Sequence, residues 1–393
     1  MTRFLFVVPP LVGHVNPAVG VAAELAARGH ATAWAGVPEV IRRLAGPDAE
    51  VFPCAVVRGA APYRPPELRG PAALKFLWEE FLAPLAEAMA PGVVAAVARF
   101  RPDVLVVDQQ AVAGALVAER LGLPWATSAT TSAEFTGALD GMPLVDAWVS
   151  GLLADLRRRI GDPAATNDPR FSPRLVLAFS TPELTGPVTV PAGPIRFVGP
   201  SITARPADPA FPWAWLDPDR ATLLVTLGTA NTDAGAAFLT VCQKALRARA
   251  GRLQAVLVDP GGVLGEPVPD PDILVRPAVP QLRLLARTAA VVCHAGHNTV
   301  CEALWHGVPL VVAPIRDDQP VVARQVADAG AGVRVRFGRT DAARLGQAVD
   351  AVLDDPGYRS AARRIAASFH AAGGAAAAAG HLEQLRPTDR GNP

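Results

Sequence analysis

Residues 276–325 read RPAVPQLRLLARTAAVVCHAGHNTVCEALWHGVPLVVAPIRDDQPVVARQ, and the order of patterns in this stretch decides the fold. The apolar run 289–293 predicts a strand buried on both faces, as in a parallel sheet. A glycine-containing turn over 295–299 follows, and it opens a helix predicted over 299–305. A second apolar run, 310–313, predicts the next strand. Strand, turn, helix and strand in this order indicate a βαβ unit and therefore a parallel sheet.

The same alternation of strands and helices runs through both halves of the chain. Between the halves, residues 199–220 read GPSITARPADPAFPWAWLDPDR, which is rich in proline, lacks periodicity and indicates a linker. We therefore expect an α/β protein of two doubly wound, Rossmann-like domains. The predicted parts are an N-terminal domain (1–205), a linker (206–220), a C-terminal domain (221–372) and a C-terminal helix and tail (373–393). Further strands are predicted over 3–8, 31–34, 104–107, 222–227 and 255–258, and further helices over 18–28, 72–100 (with breaks at Pro84 and Pro91), 111–121, 238–248 and 320–329.

Charge balance and cysteine usage argue against several classes of protein. The net charge is +1, with 37 Lys and Arg against 36 Asp and Glu, so no nucleic-acid partner is expected. The 4 cysteines form no CxxC pair and no metal-ligand spacing, which indicates free thiols in a reducing compartment and a cytoplasmic protein. The apolar start, 3–8, lacks a cleavage pattern, and no uninterrupted apolar run of about 18 residues predicts a membrane span.

The turn after the strand at 289–293 combines groups that suit an anionic diphosphate. A strand that ends at His294 and a turn that opens a helix bring backbone N–H groups and the positive end of the helix together. Gly296 allows the backbone to approach a ligand closely, Thr299 supplies a hydroxyl, and His294 supplies a hydrogen-bond donor. Such a site would hold a diphosphate without a metal ion.

Acidic residues further along the same stretch suit a sugar nucleotide. Glu302 lies on the predicted helix just after Thr299, where its carboxylate can accept hydrogen bonds from two adjacent ribose hydroxyls. Asp318 and Gln319 follow the strand at 310–313, at the edge where ligands bind in open α/β sheets, and an acid beside an amide suits a polyhydroxylated ring. Two Asp-Pro-Asp segments, 217–219 and 270–272, look like acidic metal pairs, but the intervening proline predicts turns, so we expect no metal site.

The first half of the chain offers a candidate proton acceptor. His14 follows the first predicted strand in a loop at 9–17, and an unperturbed imidazole, with a pKa of about 6.5, can take a proton from a hydroxyl near neutral pH. Asp108 ends the strand at 104–107. Adjacent parallel strands would bring it near His14, as a carboxylate orients the histidine of a hydrolase triad. From these residues alone, the alternative remains that both cap helices.

Together these motifs resemble those of the family-1, GT-B-fold glycosyltransferases. This group includes plant secondary-product glycosyltransferases, UDP-glucuronosyltransferases and bacterial macrolide and antibiotic glycosyltransferases. The stretch 294–302 resembles the family's His-x-Gly-x-Asn-Ser-x-x-Glu core, and 279–281 resembles its Pro-Gln turn beside the base. Gly13-His14-x-x-Pro17 resembles the catalytic loop, and 227–229 the Gly-Ser/Thr loop. The resemblance covers nearly the whole chain.

The resemblance implies two facing domains with a cleft between them, the C-terminal helix crossing back to the first. It implies an inverting transfer of a hexose from a nucleoside-diphosphate sugar to a hydroxyl, without a cofactor, with His14 as general base and Asp108 as its stabiliser. UDP-glucose is favoured over a TDP-sugar because Glu302 can pair with both ribose hydroxyls. The residues implied in donor binding are Gly13, Gly228, Thr229, Val279, Gln281, His294, Gly296, His297, Asn298, Thr299, Glu302, Asp318 and Gln319.

The resemblance also suggests that the acceptor is a small hydrophobic natural product, such as a polyketide or another aromatic aglycone. Two departures from the family pattern leave the nucleobase open, because Ala278 and His297 stand where many members have an aromatic residue. The alternatives are a TDP-deoxysugar donor, a nucleotide-sugar epimerase of the same fold and a two-lobed binding protein without turnover. A nicotinamide dehydrogenase is disfavoured because no GxGxxG follows the first strand. Candidate acceptor contacts are Phe76, Trp78, Phe81, Trp125, Phe135, Met142 and Trp148.

Overall fold

The computed structural model describes residues 1–55, 68, 70–137, 141–188, 193–203, 209–228, 235–265 and 269–385. The chain divides into two α/β units, each built on a parallel sheet, so the predicted fold class is confirmed. The segment from Ala371 onward belongs to the first unit. The first unit contains Met1–Pro182, Pro187–Pro206 and Ala371–Pro393, and the second contains Glu183–Gly186 and Ala207–His370.

The first unit is a doubly wound sheet. Its strands are β1 (Arg3–Val7), β2 (Ala31–Gly36), β3 (Val51–Pro53), β4 (Val104–Asp108), β5 (Trp125–Ala129), β6 (Val176–Ala178) and β7 (Ile195–Phe197). All pair in parallel, in the order β3-β2-β1-β4-β5-β6-β7. Its helices are α1 (Val12–Ala27), α2 (Pro38–Ala45), α3 (Gly70–Phe76), α4 (Ala83–Phe100), α5 (Val112–Arg120) and α6 (Pro143–Ile160). The short α7 (Pro182–Thr185) begins at the last residue of the first segment, and its remaining residues belong to the second unit.

The second unit repeats this plan with six parallel strands. They are β8 (Ala221–Thr226), β9 (Leu253–Val258), β10 (Ile273–Arg276), β11 (Ala290–Cys293), β12 (Leu310–Val312) and β13 (Gly332–Arg334), in the order β10-β9-β8-β11-β12-β13. Its helices are α8 (Ala236–Arg247), α9 (Gln281–Leu285), α10 (His297–Trp305), α11 (Gln319–Asp328), α12 (Ala342–Asp354) and α13 (Pro356–Ala372). The chain then returns to the first unit with α14 (Gly374–Glu383).

The continuous apolar runs form central strands because both faces of each sheet are covered. In β1, Leu5 and Val7 point into the core under α4 and α5. The alternate side chains, Phe4 and Phe6, point into a second core that includes Leu382 of α14. Successive side chains of a strand face opposite ways, so a strand buried on both faces needs apolar residues at every position.

Helix α1 begins earlier than the sequence suggests. It starts at Val12, so His14 and Pro17 lie inside a helix and the expected loop at 9–17 was wrong. A proline lacks the N–H that would bond to the carbonyl one turn earlier, here that of Gly13, and this favoured a loop. Val15 and Pro17 are buried, and their packing against the sheet offsets the lost bond.

The prolines at 84 and 91 do not break the helical segment as expected. Between α3 and α4 the chain forms a π-helical turn, Leu77–Leu82, in which Ala83 N–H bonds to the Trp78 carbonyl. The wider turn ends just before Pro84, which has no N–H to place in the ladder. By length and composition, Gly70–Phe100 is the one stretch of the described helices that passes as a membrane span. Half of its apolar window is buried inside the protein, as in a core helix.

Two helix-interior glycines allow a matched test of packing in the first unit. A Cβ on Gly92 of α4 would lie 2.9 Å from Cys54 Cα and 2.9 Å from the Pro53 carbonyl oxygen, whereas a Cβ on Gly151 of α6 would meet nothing within 4 Å. We expect Gly92→Ala to lower the free energy of unfolding by about 1–3 kcal/mol through overpacking. Gly151→Ala should raise it by about 0.5–1 kcal/mol through helix propensity. Thermal unfolding checks both, and a stabilised Gly92→Ala would contradict this packing.

Candidate active site

His14 and Asp108 meet at the carboxyl edge of the first sheet. β1 and β4 are adjacent, with Val7 level with Val107, so Asp108 ends β4 where the chain leaves β1 for α1. His14 lies in the first turn of α1, and its Nδ1 is 2.9 Å from Asp108 Oδ1. The Asp108 side chain is 0% exposed and that of His14 is 16% exposed. A buried carboxylate therefore backs an imidazole that reaches solvent.

Thr130 completes this cluster, and the sequence did not single it out. It follows β5, the neighbour of β4, and its Oγ1 is 2.8 Å from Asp108 Oδ2 and 2.8 Å from His14 Nδ1. The backbone N–H of Gln110 also donates to Asp108 Oδ1, at 2.9 Å. Asp108 thus has a partner on each carboxylate oxygen, as a buried charge requires.

A second carboxyl lies close to this cluster. Glu134 follows β5, and burial is the main cause that raises its pKa above the usual value. The positive charge of Arg170 opposes the rise, and the negative charges of Asp168 and Asp108 add to it. Arg170 is itself buried and binds both oxygens of Asp168. The sequence analysis missed Glu134, because its isolated position in the chain carries no motif.

In the second unit, two glycines enclose the imidazole of His294 at the carboxyl ends of β8 and β11. A Cβ on Gly228 would lie 2.7 Å from His294 Cε1, and a Cβ on Gly296 would lie 2.4 Å from His294 Nε2. Gly228 also has a φ of +70°, which other residues rarely adopt. Gly296 is the N-cap of α10, so the first-turn amides of that helix point toward this end. These features fit the predicted anion site.

His294 is held in its neutral form. Its pKa is lowered to about 4, mainly by burial, and the positive charge of Arg316 adds to the fall while the Thr226 backbone opposes it. Arg316 is buried, lies just beyond β12, and donates its backbone N–H to Gln319 Oε1 at 3.1 Å. Sequence reasoning passed over Arg316, which adds positive charge to the neighbourhood of His294.

Glu302 and Gln281 are joined by a hydrogen bond. Gln281 Nε2 donates to Glu302 Oε2 at 2.6 Å, and Glu302 is buried in α10. The Pro-Gln turn is therefore joined directly to the carboxylate that is predicted to bind ribose. His297 is buried as well, with its Nε2 3.5 Å from Cys301 Sγ on the next turn. Val279, two residues before Gln281, is half-buried, and Asn298 and Thr299 are half-buried in the first turn of α10.

Gln319 is fixed by the backbone that precedes it. Its Oε1 accepts from Ile315 N–H at 2.8 Å and from Arg316 N–H at 3.1 Å. The amide oxygen is thereby committed, so the amide nitrogen is the end that can donate to a ligand. Asp318 is the N-cap residue of α11 and is half-buried, and Asp317 has a left-handed φ of +57°. The predicted sugar-binding pair thus lies at the carboxyl edge of β12.

Several predicted contacts fall elsewhere. Trp125 and Phe135 were expected to line the acceptor site; they are 4% and 1% exposed and pack in the cores of the first unit, so their contact with an acceptor stays a prediction. Trp78 is also core, whereas Phe76, Phe81 and Trp148 are half-buried and Met142 is exposed. Gly13 is exposed in α1, and Thr229 lies outside the described residues.

The two Asp-Pro-Asp segments close turns. Asp217 Oδ1 accepts from Asp219 N–H at 2.9 Å, and Asp270 Oδ1 accepts from Asp272 N–H at 2.8 Å and Ile273 N–H at 3.0 Å. Asp272 pairs with Arg220, and this bond is the main cause that lowers its pKa. Among the residues that the structure describes, no group of three or more His, Cys, Asp or Glu side chains is placed to hold a metal ion.

Known proteins resemble this chain along most of its length. Residues 265–385 match the family described as Erythromycin biosynthesis protein CIII-like, C-terminal domain. The 4'-demethylrebeccamycin synthase of Lentzea aerocolonigenes is 30% identical over 92% of this chain and 94% of its own. The demethyllactenocin mycarosyltransferase of Streptomyces fradiae is 31% identical over 98% of this chain and 87% of its own. The crystal structure of the glycotransferase of kitacinnamycin superposes with a TM-score of 0.81 at 26% identity, covering 98% of this chain and 99% of that one.

The neutral state of His294 gives a pH-dependent prediction. An unfolded histidine binds a proton below about pH 6.5, whereas His294 in the folded protein does so only near pH 4. His294 therefore lowers the free energy of unfolding more and more as the pH falls from 6.5 toward 4. Above pH 6.5 both states are neutral, and this contribution vanishes. A histidine NMR titration, with His294 assigned by its loss in His294→Asn, should show a midpoint near 4. A midpoint at or above 6 would contradict the buried, neutral ring.

Proposed function

We propose a specific reaction for this chain, which belongs to the family-1, GT-B natural-product glycosyltransferases. It transfers a hexose from UDP-glucose to a hydroxyl of a small hydrophobic natural product, with inversion at the anomeric carbon and without a metal ion. The observation that carries this proposal is the contact of 2.9 Å between His14 Nδ1 and the fully buried carboxylate of Asp108.

The His14–Asp108 pair supports general-base chemistry. When the N–H at Nδ1 donates a hydrogen bond to Asp108, the lone pair of the neutral imidazole is on Nε2. Nε2 takes the proton of the acceptor hydroxyl as its oxygen forms the new bond to the anomeric carbon. The bond from that carbon to the diphosphate breaks on the opposite face, so the configuration inverts. Asp108 stabilises the imidazolium that results.

The second unit supplies the groups that suit the leaving diphosphate. The N-terminal end of α10 offers backbone amides and a positive helix end, which stabilise an anion. His294 is neutral, so it acts through hydrogen bonding rather than charge, and the nearby Arg316 supplies a full positive charge. Fixed donors of this kind stabilise developing charge without reorganisation, which supports a transfer that needs no metal.

The donor proposal rests on Glu302. Its Oε2 already accepts from Gln281, but a carboxylate has about four lone-pair positions, so both ribose hydroxyls of a uridine donor can still be accepted. A thymidine donor lacks the 2′-hydroxyl and leaves one of those bonds unmade. Gln319 and Asp318 suit a ring that keeps its hydroxyls. The relative named as a mycarosyltransferase favours the second candidate, a TDP-deoxysugar donor.

The acceptor proposal follows the relatives. Their names refer to natural products, rebeccamycin, lactenocin and kitacinnamycin, which supports a polyketide or aromatic aglycone for this chain.

The experiment that tests the reaction incubates the protein with a panel of such aglycones and of UDP- and TDP-sugars, and detects glycosides by mass. Product should form equally well in EDTA. Strict dependence on added Mg²⁺ or Mn²⁺ would refute the metal-free reaction.

We predict that UDP-glucose is preferred over TDP-glucose at equal concentration. A buried charged acceptor left short of one partner costs roughly 1–3 kcal/mol, or about 5- to 150-fold in preference. Glu302→Ala should abolish the preference. Gln281→Ala is the control, because it removes the partner of Glu302 but keeps the carboxylate, and it should keep the preference. A wild-type protein that favours TDP-glucose, or a Glu302→Ala variant with the preference intact, would show the ribose argument to be wrong.

We also predict that His14→Ala loses about 10²–10⁴-fold in transfer rate, the usual contribution of a general base. The affinity for the donor should stay close to that of the wild type, because the base acts on the acceptor. Asp108→Asn should lose less, since an amide oxygen can still accept from His14 Nδ1, and it should leave the fold intact, since that oxygen can also accept from the Gln110 N–H. Single-turnover rates and donor titrations check both variants. Near-normal turnover of His14→Ala would remove this residue from the mechanism.

A further inference from the structure

The hydroxyl of Thr130 touches both members of the His14–Asp108 pair. Its Oγ1 lies 2.8 Å from Asp108 Oδ2 and 2.8 Å from His14 Nδ1. Thr130 is 3% exposed, so protein groups rather than bulk water surround this hydroxyl. The pair is therefore a cluster of three side chains, contributed by α1, the end of β4 and the residue after β5.

One arrangement of protons satisfies the three contacts. A carboxylate only accepts hydrogen bonds, so the single proton of the Thr130 hydroxyl is donated to Asp108 Oδ2. The Thr130 oxygen is then an acceptor toward His14, which places the imidazole proton on Nδ1. That proton also faces Asp108 Oδ1, at 2.9 Å. For a neutral imidazole, the lone pair is thus on Nε2.

We propose that Thr130 is a positioning residue: it orients the imidazole of His14 and reduces the charge that Asp108 presents to it. The inference rests on the proposed function, in which Nε2 of His14 takes the acceptor proton. Thr130 acts through the pair and needs no contact with the reacting atoms. Valine has the same shape without the hydroxyl, so Thr130→Val removes both contacts and leaves the packing volume nearly unchanged.

The direction of the effect follows from the donated bond. A donor on Oδ2 draws charge away from the carboxylate, so its loss leaves Asp108 a stronger partner for the imidazolium. Losing the Thr130 oxygen also removes one acceptor from Nδ1, but Asp108 Oδ1 remains at 2.9 Å as the acceptor of that proton. The stronger carboxylate therefore decides the sign: protonated His14 is favoured, and its titration midpoint rises. The charged groups that face Asp108 from the neighbouring segments are Glu134 and, beside it, Arg170 with Asp168. They are the same in every variant compared, so their fields cancel from the difference.

A histidine NMR titration of the whole protein tests this without donor or acceptor. His14 is assigned by the resonance that disappears in His14→Gln. We expect its midpoint to rise by about half a pH unit or more in Thr130→Val. A hydrogen bond contributes about 0.5–1.5 kcal/mol, and a shift of one pH unit corresponds to about 1.36 kcal/mol. Thr130→Ser keeps the hydroxyl and should restore the wild-type midpoint. In the presence of an acceptor, kcat/KM of Thr130→Val should fall while the donor KM stays unchanged, and the acid limb of the pH profile should move to higher pH.

Thr127, on β5 itself, offers a matched control close to Thr130 in the chain. Its Oγ1 also makes two hydrogen bonds, to the Arg170 carbonyl at 3.2 Å and from Ser172 N–H at 2.7 Å, and neither partner is His14 or Asp108. Thr127→Val should lower the unfolding temperature and leave the His14 midpoint unchanged. If Thr130→Val does not fold, Thr130→Ala replaces it in the same titration.

The outcomes separate this inference from the proposed function. An unmoved or lowered His14 midpoint in Thr130→Val, or in Thr130→Ala, would overturn the positioning role. An equal shift in Thr127→Val would overturn it too, because the effect would then be general to the strand. A wild-type protein that transfers no sugar would refute the proposed reaction but would leave the titration result standing.

Discussion

The register between neighbouring parallel strands is the constraint on which the candidate cluster of each unit depends. In the first unit, Val7 is level with Val107 and Asp108 is level with Ser128, so the carboxyl ends of β1, β4 and β5 lie at one edge. The residues that follow these strands are brought together there, although they are far apart in the chain. A slip of one residue in β4 would turn Asp108 to the other face of the sheet, away from His14.

The second unit uses the same constraint to build a different environment. β8, β11 and β12 are neighbours, and the residues after them supply Gly228, His294 with Gly296, and Arg316. Here the register brings two glycines against an imidazole. Only residues without a Cβ leave room for the ring at these two positions. Any side chain at Gly228 or Gly296 would have to displace His294. The two glycines are therefore part of the site although they carry no functional group.

Continuous apolar runs and local motifs were enough to predict the buried strands and the candidate site residues. Side chains whose place depends on packing between distant segments were missed. The buried strands and the order of the two units follow from patterns that any parallel sheet shares. Trp125 shows the limit: it is a candidate acceptor contact by sequence, but it lies in a strand buried on both faces, where composition cannot separate core from pocket. Thr130 was invisible for the opposite reason. A lone threonine carries no motif, and its importance arises only from the parallel pairing of β4 with β5.

The two histidines at these edges show how one side chain serves two kinds of chemistry. His14 has a buried carboxylate at Nδ1 and a partly exposed ring, the arrangement on which the proposed general-base role rests. His294 sits between two glycines, and its burial, together with the positive charge of Arg316, disfavours the charged ring. In the reaction proposed above, a neutral His294 donates a hydrogen bond without competing for the proton that the general base takes. The difference between the two rings is set by what surrounds them, burial with a nearby arginine for His294 and a carboxylate for His14.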